Sequence, residues 1–237
     1  MSMTDNHNKQ YINKHGKSVM RVSEVIKVLA KDQLMTWANM LGFKGIRYKD
    51  ELERTGNIGS LFHAVTEDFF TPNTIAMIDF DKYGVYDYQS QAEATNAIKS
   101  FFKWYEENRD WFHVVFREKV VVGERLGGTI DCGIEGVKDP DKVVFVDYKT
   151  SSGFYLSQFL QLTGYVDIYE EVYGPNTVEG VMVIIAKKNG KKAESMFIPR
   201  ENMDLLLTSF EILINTAIAT RHLNLVWKSL TKTTPEK

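Results

Sequence analysis

Val143-Val144-Phe145-Val146-Asp147-Tyr148-Lys149 is an apolar run closed by a carboxylate and an ammonium two positions apart. Its β-branched and aromatic residues predict a buried strand. Side chains alternate faces along a strand, so Asp147 and Lys149 share one face, roughly 7 Å apart at about 3.3 Å per residue, while Tyr148 takes the other. Upstream, a second apolar run closes with Gly128-Thr129-Ile130-Asp131. If the two strands are neighbours, the carboxylates of Asp131 and Asp147 converge, and such hard oxygens suit Mg²⁺ or Mn²⁺. An ion held there polarises a phosphate oxygen and lowers the pKa of a water. Lys149 can then orient or help deprotonate that water, or stabilise charge on the phosphate. The triplet by itself favours a plain solvated exit from a sheet; its surroundings have to decide.

Around it, Val114–Val122, Gly128–Ile134 and Lys142–Asp147 read as three strands joined by short turn-like segments. A helix is expected from about Tyr155 to Tyr173, stopped by Gly174-Pro175. Val178–Ala186 and Ala193–Ile198 then flank Lys188-Asn189-Gly190-Lys191, and Asn-Gly is a strong hairpin signal. A last helix is expected over 201–222, with a frayed polar stretch at 228–237. Towards the N-terminus, residues 1–20 are polar and aperiodic and read as a loose arm or short extended segment. Ser23 is a candidate cap for a helix to about Ala30. Asp32 is a candidate cap for a second helix through Trp37 and Met40, stopped by Gly42. Further helices are expected from about Ile58 to Phe70 and over 89–108, with a long loop at 71–88 between them. The order is helices, three strands, helix, two strands, helix: an α+β layered fold with helices covering a central mixed β-sheet.

The helix behind the triplet carries Phe159, Leu162, Val166 and Tyr169 as its core stripe, with Gln158, Gln161 and Tyr165 on a neighbouring face. Those polar groups either contact phosphate or fix the lysine, or else form a solvent-facing side. His63 and Glu67 lie one turn apart, off the stripe Ile58, Leu61, Phe62, Val65, Phe69. An imidazole there is commonly a surface or hydrogen-bonded group, and it is a softer ligand than Mg²⁺ prefers, although Mn²⁺ accepts it. Glu118, inside the first strand, is a further site carboxylate or an edge-strand charge. Lys187, Lys188, Lys191 and Lys192 crowd the hairpin tip, either to contact phosphate or to guard an exposed hairpin. Tyr83, Tyr86, Tyr88, Trp104 and Trp111 are candidates for stacking on unpaired bases or for packing.

A formal charge of −2 excludes a global positive field, so any nucleic-acid contact must be local. No apolar run reaches membrane-span length and no signal-peptide core is visible, so an intracellular, cytoplasmic protein is expected. Cys132 is the only cysteine, which excludes internal disulfides and cysteine-ligated zinc or iron–sulfur clusters; it should face away from Asp131 as a small core residue. No zinc finger or nucleotide-binding loop is present, so no nucleotide cofactor is expected.

Taken in order, Gly59 to His63 (Gly-x-x-x-His), the strand residue Glu118, Gly128 to Asp131 (Gly-x-x-Asp), Asp147 to Lys149 (Asp-x-Lys) and Gln161 to Tyr165 (Gln-x-x-x-Tyr) resemble the PD-(D/E)xK nuclease superfamily, in its RecB-like exonuclease branch. Each motif is weak, but the ordered set over residues 59–165 is specific. The resemblance implies a restriction-endonuclease-like core with a helical N-terminal extension. One nuclease domain is expected over 1–237: a mainly helical part (1–110), a catalytic core (111–222) and a polar tail (223–237). It also implies metal ligation by His63, Asp131 and Asp147, with Glu118 as a further carboxylate, and catalysis by Lys149. Gln161 and Tyr165 would support the site or the DNA. DNA contact is expected from Gln158 and the four hairpin lysines. The proline that names the superfamily is replaced by Thr129-Ile130 before Asp131, as is common in this branch, and a single cysteine points to members without an iron–sulfur cluster. The implied activity is a Mg²⁺- or Mn²⁺-dependent exonuclease on single strands or duplex ends, in recombination, repair or replication. A recombinase or single-strand-binding protein is a partner of such enzymes, and Trp37-Ala38-Asn39 gives a looser likeness to phage-encoded relatives. Two rivals stay open: an endonuclease on the same core, and a non-catalytic binding protein on a nuclease fold.

Overall fold

The structure, a computed structural model, describes residues 10–29 and 32–232. A short hairpin, β1 (Tyr11–Ile12) and β2 (Ser18–Arg21), opens it. Three helices follow: α1 (Val22–Ile26), α2 (Asp32–Phe43) and α3 (Tyr48–Phe70). After a loop comes α4 (Tyr88–Asn108), then β3 (Val114–Val122), β4 (Leu126–Glu135) and β5 (Val143–Lys149). Helix α5 (Leu156–Tyr173) crosses to β6 (Val178–Ile185), which pairs with β7 (Glu194–Pro199). A single 3₁₀ turn, Arg200–Asn202, leads to α6 (Asp204–Lys232).

The seven strands form one mixed sheet flanked by helices. Strand β5 runs parallel to β6, with α5 as the crossover, and every residue of β6 is buried. Such continuous apolar strands need cover on both faces. One face packs against α1, α5 and α6 through Val22, Phe145, Val166, Phe210 and Ile214. The other packs against α3 and α4 through Phe62, Phe101, Phe112, Tyr148 and Ile184. Cys132 joins that second cluster, and burial pushes its thiol up to about 12. No helix among the described residues is long and apolar enough to cross a membrane.

Strand β4 organises the sheet. One edge pairs with β3 from Val114↔Ile134 to Val122↔Gly127. The opposite edge is shared: β2 pairs with Leu126 and Gly127, and β5 pairs from Glu135↔Val143 to Cys132↔Val146. Among the described residues no ladder pair spans 128–131 on that edge. Asp131 and Asp147 are therefore the register positions one step beyond the last β4–β5 pair, where the strands part.

Several boundaries differ from those the sequence predicts. Part of the expected loose arm is the β1–β2 hairpin, anchored where Tyr11 covers Gly127; residues 1–9 lie outside the described set. Helix α1 is entered from Arg21 rather than capped by Ser23 and ends at Ile26, four residues before the expected Ala30. The Asp32 cap lies outside the described side chains; Gly42 sits within α2, and the turn after it uses Gly45 at φ 69°. Helix α3 begins at Tyr48, not Ile58, because its first turns are polar and carry no apolar stripe, yet ion pairs such as Arg54–Glu51 hold them. The Asn189-Gly190 connection is not a two-residue turn: β6 and β7 separate after Ile185↔Glu194, and Gly190 N–H donates to Lys187 C=O inside a longer loop. Helix α6 starts at Asp204 and continues to Lys232, so residues 228–232 are helical; 233–237 are not described.

Where α5 crosses α6, a Cβ on Gly164 would stand 2.3 Å from Phe210 Cζ. Helix propensity favours Gly164→Ala by about 1 kcal/mol, whereas overpacking a core costs about 1–3 kcal/mol. Packing should win: urea titration of Gly164→Ala is expected to give a lower midpoint than wild type, and a higher one would contradict this contact.

Candidate active site

The centre of the site is the parting of β4 and β5. Asp147, at the buried end of β5, is only 1% exposed. Its Oδ1 accepts a hydrogen bond from Lys149 Nζ at 2.7 Å, the pairing that same-face alternation implies. Its Oδ2 is buried without a hydrogen-bond partner, and so is Oδ2 of Asp131. Helix α3 brings His63 across from the other wall, with Nδ1 3.4 Å from Asp131 Oδ2 but not in hydrogen-bond alignment. The edges of Phe62 and Tyr148 back the imidazole ring. Tyr148 is thus a wall behind the site rather than a participant, as its opposite-face position predicts.

Glu118 stands across β3 from Asp131, between the pairs Arg117↔Cys132 and Lys119↔Ile130. Its backbone is left-handed, at φ 43°. The row Glu118–Asp131–Asp147 thus crosses three strands, with Glu118 and Asp131 lining the same cleft.

Burial dominates the electrostatics. It pushes Asp147 up to about 6 against the pull of Lys149, with Asp131 adding repulsion. Asp131 is raised for the same first reason, again opposed by Lys149. Burial works against the charge on Lys149, but Asp147 and Asp131 outweigh it and hold the ammonium above its ordinary value. His63 is lowered by burial and then by Lys149, which leaves a neutral imidazole. A quarter of its side chain still reaches solvent. Burial also raises Glu67, one turn along α3, beside a small pocket shared with His63, Arg117, Glu118 and Asp131.

From α5, Gln161 Nε2 donates to Tyr165 Oη at 3.0 Å, and both line the cleft. Tyr165 is held protonated, by burial first and then by Asp131. It lies flat on Gly128, where a Cβ would meet its ring at 2.4 Å; this is why the Gly-x-x-Asp stretch needs its glycine. Gln158 stays apart from them. Its Oε1 accepts from Tyr155 N–H and its Nε2 donates to Ser151 Oγ, so the amide caps α5 and stands 7% exposed instead of facing a phosphate.

The hairpin lysines share the sheet end of Lys149, whose carbonyl accepts from Ala186 N–H, but none of them lines the cleft. Lys187 pairs with Glu194 and Lys192 with Glu107. Lys188 is lowered by burial near Glu93, Arg54 and Glu51, and Lys191 is exposed. Of the aromatic candidates only Tyr83 reaches the cleft; Trp104 and Trp111 pack around Phe112, while Tyr86 and Tyr88 stand exposed. Sequence reasoning missed Tyr11, whose hydroxyl pairs with Thr129 Oγ1 at 2.9 Å on the cleft wall; an aromatic in a polar arm was its only signal.

Two adjacent carboxylates, each with a buried and partnerless oxygen, together with a neutral imidazole and a counter-cation, fit a divalent cation. Among the described residues no three His, Cys, Asp or Glu side chains already enclose a point.

This fold is that of a nuclease superfamily. The family model of the PD-(D/E)XK nuclease superfamily matches residues 40–224, and the chain belongs to that superfamily. Membership makes it a metal-dependent nuclease with DNA as the implied substrate. Comparison with curated proteins gives no match. Among solved structures, the crystal structure of SSO0001 is similar at 13% identity and a TM-score of 0.35, over 70% of this chain and 74% of that one.

Binding only to the folded state stabilises a protein, by about 2.7 kcal/mol when the ligand is at a hundredfold its Kd. Mn²⁺ or Mg²⁺ should therefore raise the melting temperature of wild type, and neither should raise that of Asp131→Asn/Asp147→Asn. Ligation needs ionised carboxylates. With Asp147 raised to about 6, the metal-induced shift should be full well above that pH and fade as the pH falls through it. An equal shift in the double variant would exclude these residues as ligands.

Proposed function

We propose that this protein is a divalent-metal-dependent DNA exonuclease of little sequence specificity, in the RecB-like branch of its superfamily, serving recombination, repair or replication. One observation carries the reading: Asp131 and Asp147 stand side by side where β4 and β5 part, each with a buried, partnerless oxygen, and Lys149 is held on them. Support for the branch comes from the ordered motifs: His63, Glu118, Asp131 and Tyr165 line one cleft, and Lys149 is ion-paired with Asp147.

A cation bound by Asp131 and Asp147 supplies a Lewis acid for the scissile phosphate and for the water that attacks it. His63, kept neutral, presents a nitrogen lone pair as a third ligand, which favours Mn²⁺ over Mg²⁺. Lys149, kept cationic by its two carboxylate neighbours, donates hydrogen bonds: it orients the attacking water and stabilises charge growing on the phosphate, rather than accepting the proton. Tyr165, kept protonated and steadied by Gln161, offers a second donor from α5. Glu118 faces the same space from β3 and adds a carboxylate to the cation's surroundings.

Removing a single donor that stabilises transition-state charge costs about 10²–10³ in kcat. Lys149→Ala should lose at least that much on end-labelled DNA, with Mn²⁺ the better metal for wild type. Covalently closed circular DNA should survive while the linearised form is degraded. Cleavage of the circle at a comparable rate would make the enzyme an endonuclease instead, and a wild-type rate in Lys149→Ala would remove Lys149 from the mechanism.

A further inference from the structure

The cleft above the carboxylates has a volume of about 800 Å³, and its lining is unusual for a surface that grips a duplex. One wall is a single face of α3 running from Lys49 through Glu53 and Asn57 to Ser60 and His63. At about 1.5 Å per residue this ramp is roughly 21 Å long, leading from solvent to the imidazole. Asp131, with its buried Oδ2, lies 3.4 Å from the imidazole at the end of the ramp, so a phosphate that reaches it enters the cleft. A single strand, with no partner strand to keep clear of the α3 wall, suits such an entry.

Positive charge is sparse in the same lining. Sequence-neutral grip on a duplex comes from several lysines and arginines set against its phosphates. Among the described residues the lining offers two, Arg21 and Lys49, against Glu53, Glu118 and Asp131, and Arg21 is paired with Glu24 at 3.0 Å. The concentrated lysines of the β6–β7 hairpin do not line it. What the lining supplies in their place is hydroxyl, amide and aromatic groups, the set that suits a flexible strand with accessible base faces.

One aromatic is mounted for that purpose. Tyr83 lines the cleft from the loop between α3 and α4 and is half-buried against the core behind it. The loop is tied to the ramp by Asn57 Nδ2, which donates to Gly84 C=O at 3.2 Å. Gly84 has φ 68°, and a Cβ there would stand 2.8 Å from that same amide nitrogen. The Tyr83 ring is thus fixed relative to α3, with Lys82 Nζ 5.2 Å from its centroid.

We infer that the cleft admits a single unpaired strand, a base of which stacks on Tyr83, so that this nuclease acts on single-stranded DNA and overhangs and on duplex ends only as they fray. This rests on the nuclease reading above. Asn57 is a positioning residue for the platform.

The test is fluorescence anisotropy with the full chain carrying Lys149→Ala, so that binding is read whether or not hydrolysis occurs. The probes are a labelled oligonucleotide, single-stranded or annealed as a blunt duplex, in Mn²⁺ at one salt concentration. The single strand is expected to bind at least tenfold more tightly. Adding Tyr83→Leu, which keeps apolar bulk against the core but removes the π-face, should weaken single-strand binding about tenfold, and Tyr83→Phe should restore it. Equal affinity for the two probes overturns the inference, as does a Tyr83→Phe variant that binds no better than Tyr83→Leu. Wild-type digestion of the same DNAs separates this from the underlying reading. Blunt duplex degraded as fast as single strand overturns the strand preference alone, whereas a wild type inert on both overturns the nuclease assignment.

Discussion

The parting of β4 and β5 after the pair Cys132↔Val146 is the constraint on which this structure turns. Had the ladder continued one step, Asp131 and Asp147 would have been an ordinary cross-strand pair of like charges, which is destabilising. Because the strands separate, the two carboxylates border an opening instead, still adjacent, Asp147 buried and Asp131 half-buried. Strand β2 takes over the same edge of β4 at Leu126 and Gly127, so the opening is framed by paired backbone at both ends. A cleft in the middle of a sheet edge is otherwise an exposed row of unsatisfied backbone groups; here α3, Tyr11 and Tyr165 cover it.

Buried charge is costly, and this site concentrates it. Two carboxyl groups raised by burial and one ammonium between them do not make a stable cluster by themselves, since a buried ion pair seldom outweighs the desolvation of its partners. The stability that tolerates them lies elsewhere, in apolar layers on both faces of the sheet. Phe145 and Val146, on opposite faces of β5, are each fully buried immediately before Asp147. The strand that delivers the carboxylate is therefore among the most firmly held in the molecule, and a rigid element places a reactive group more accurately than a loop does.

Much of this was legible in the chain. Strand β3 has the expected boundaries, and β5 begins one residue later than expected and continues through Lys149, because β-branched runs bounded by turns leave few alternatives. Alternation along β5 correctly assigned Asp147 and Lys149 to one face and Tyr148 to the other. What sequence could not supply was the distance between elements. Tyr11 reaches the cleft because a hairpin folds back on Gly127, a contact 116 positions away with no local signature. The first turns of α3 are polar and hold Gly56, so their periodicity is silent, although they build the ramp to His63. Gln158 and the hairpin lysines show the same gap: a polar side chain has the same appearance in a sequence whether it meets a substrate, caps a helix or pairs with a neighbour. Gln158 caps α5, and Lys187 and Lys192 meet Glu194 and Glu107.

Glu118 shows where the fold bends to keep the opening in place. A non-glycine residue at φ 43° inside a strand costs on the order of 1–3 kcal/mol and persists only where its surroundings impose it. Here the β3–β4 ladder imposes it from both sides, with regular pairs at Arg117↔Cys132 and Lys119↔Ile130. Across the kink the side chains change faces. Arg117 turns towards Thr71 at the end of α3, and Lys119 turns towards the rings of Phe116 and Tyr169 on the α5 side. A regular strand would have sent Arg117 and Lys119 to the same face and Glu118 to the other. The distortion sits directly across from Asp131, one residue from where β4 leaves β5. Strain in β3 and the parting of β4 from β5 are thus two sides of one local deformation, which brings a third carboxylate to the cleft where the other two are already held.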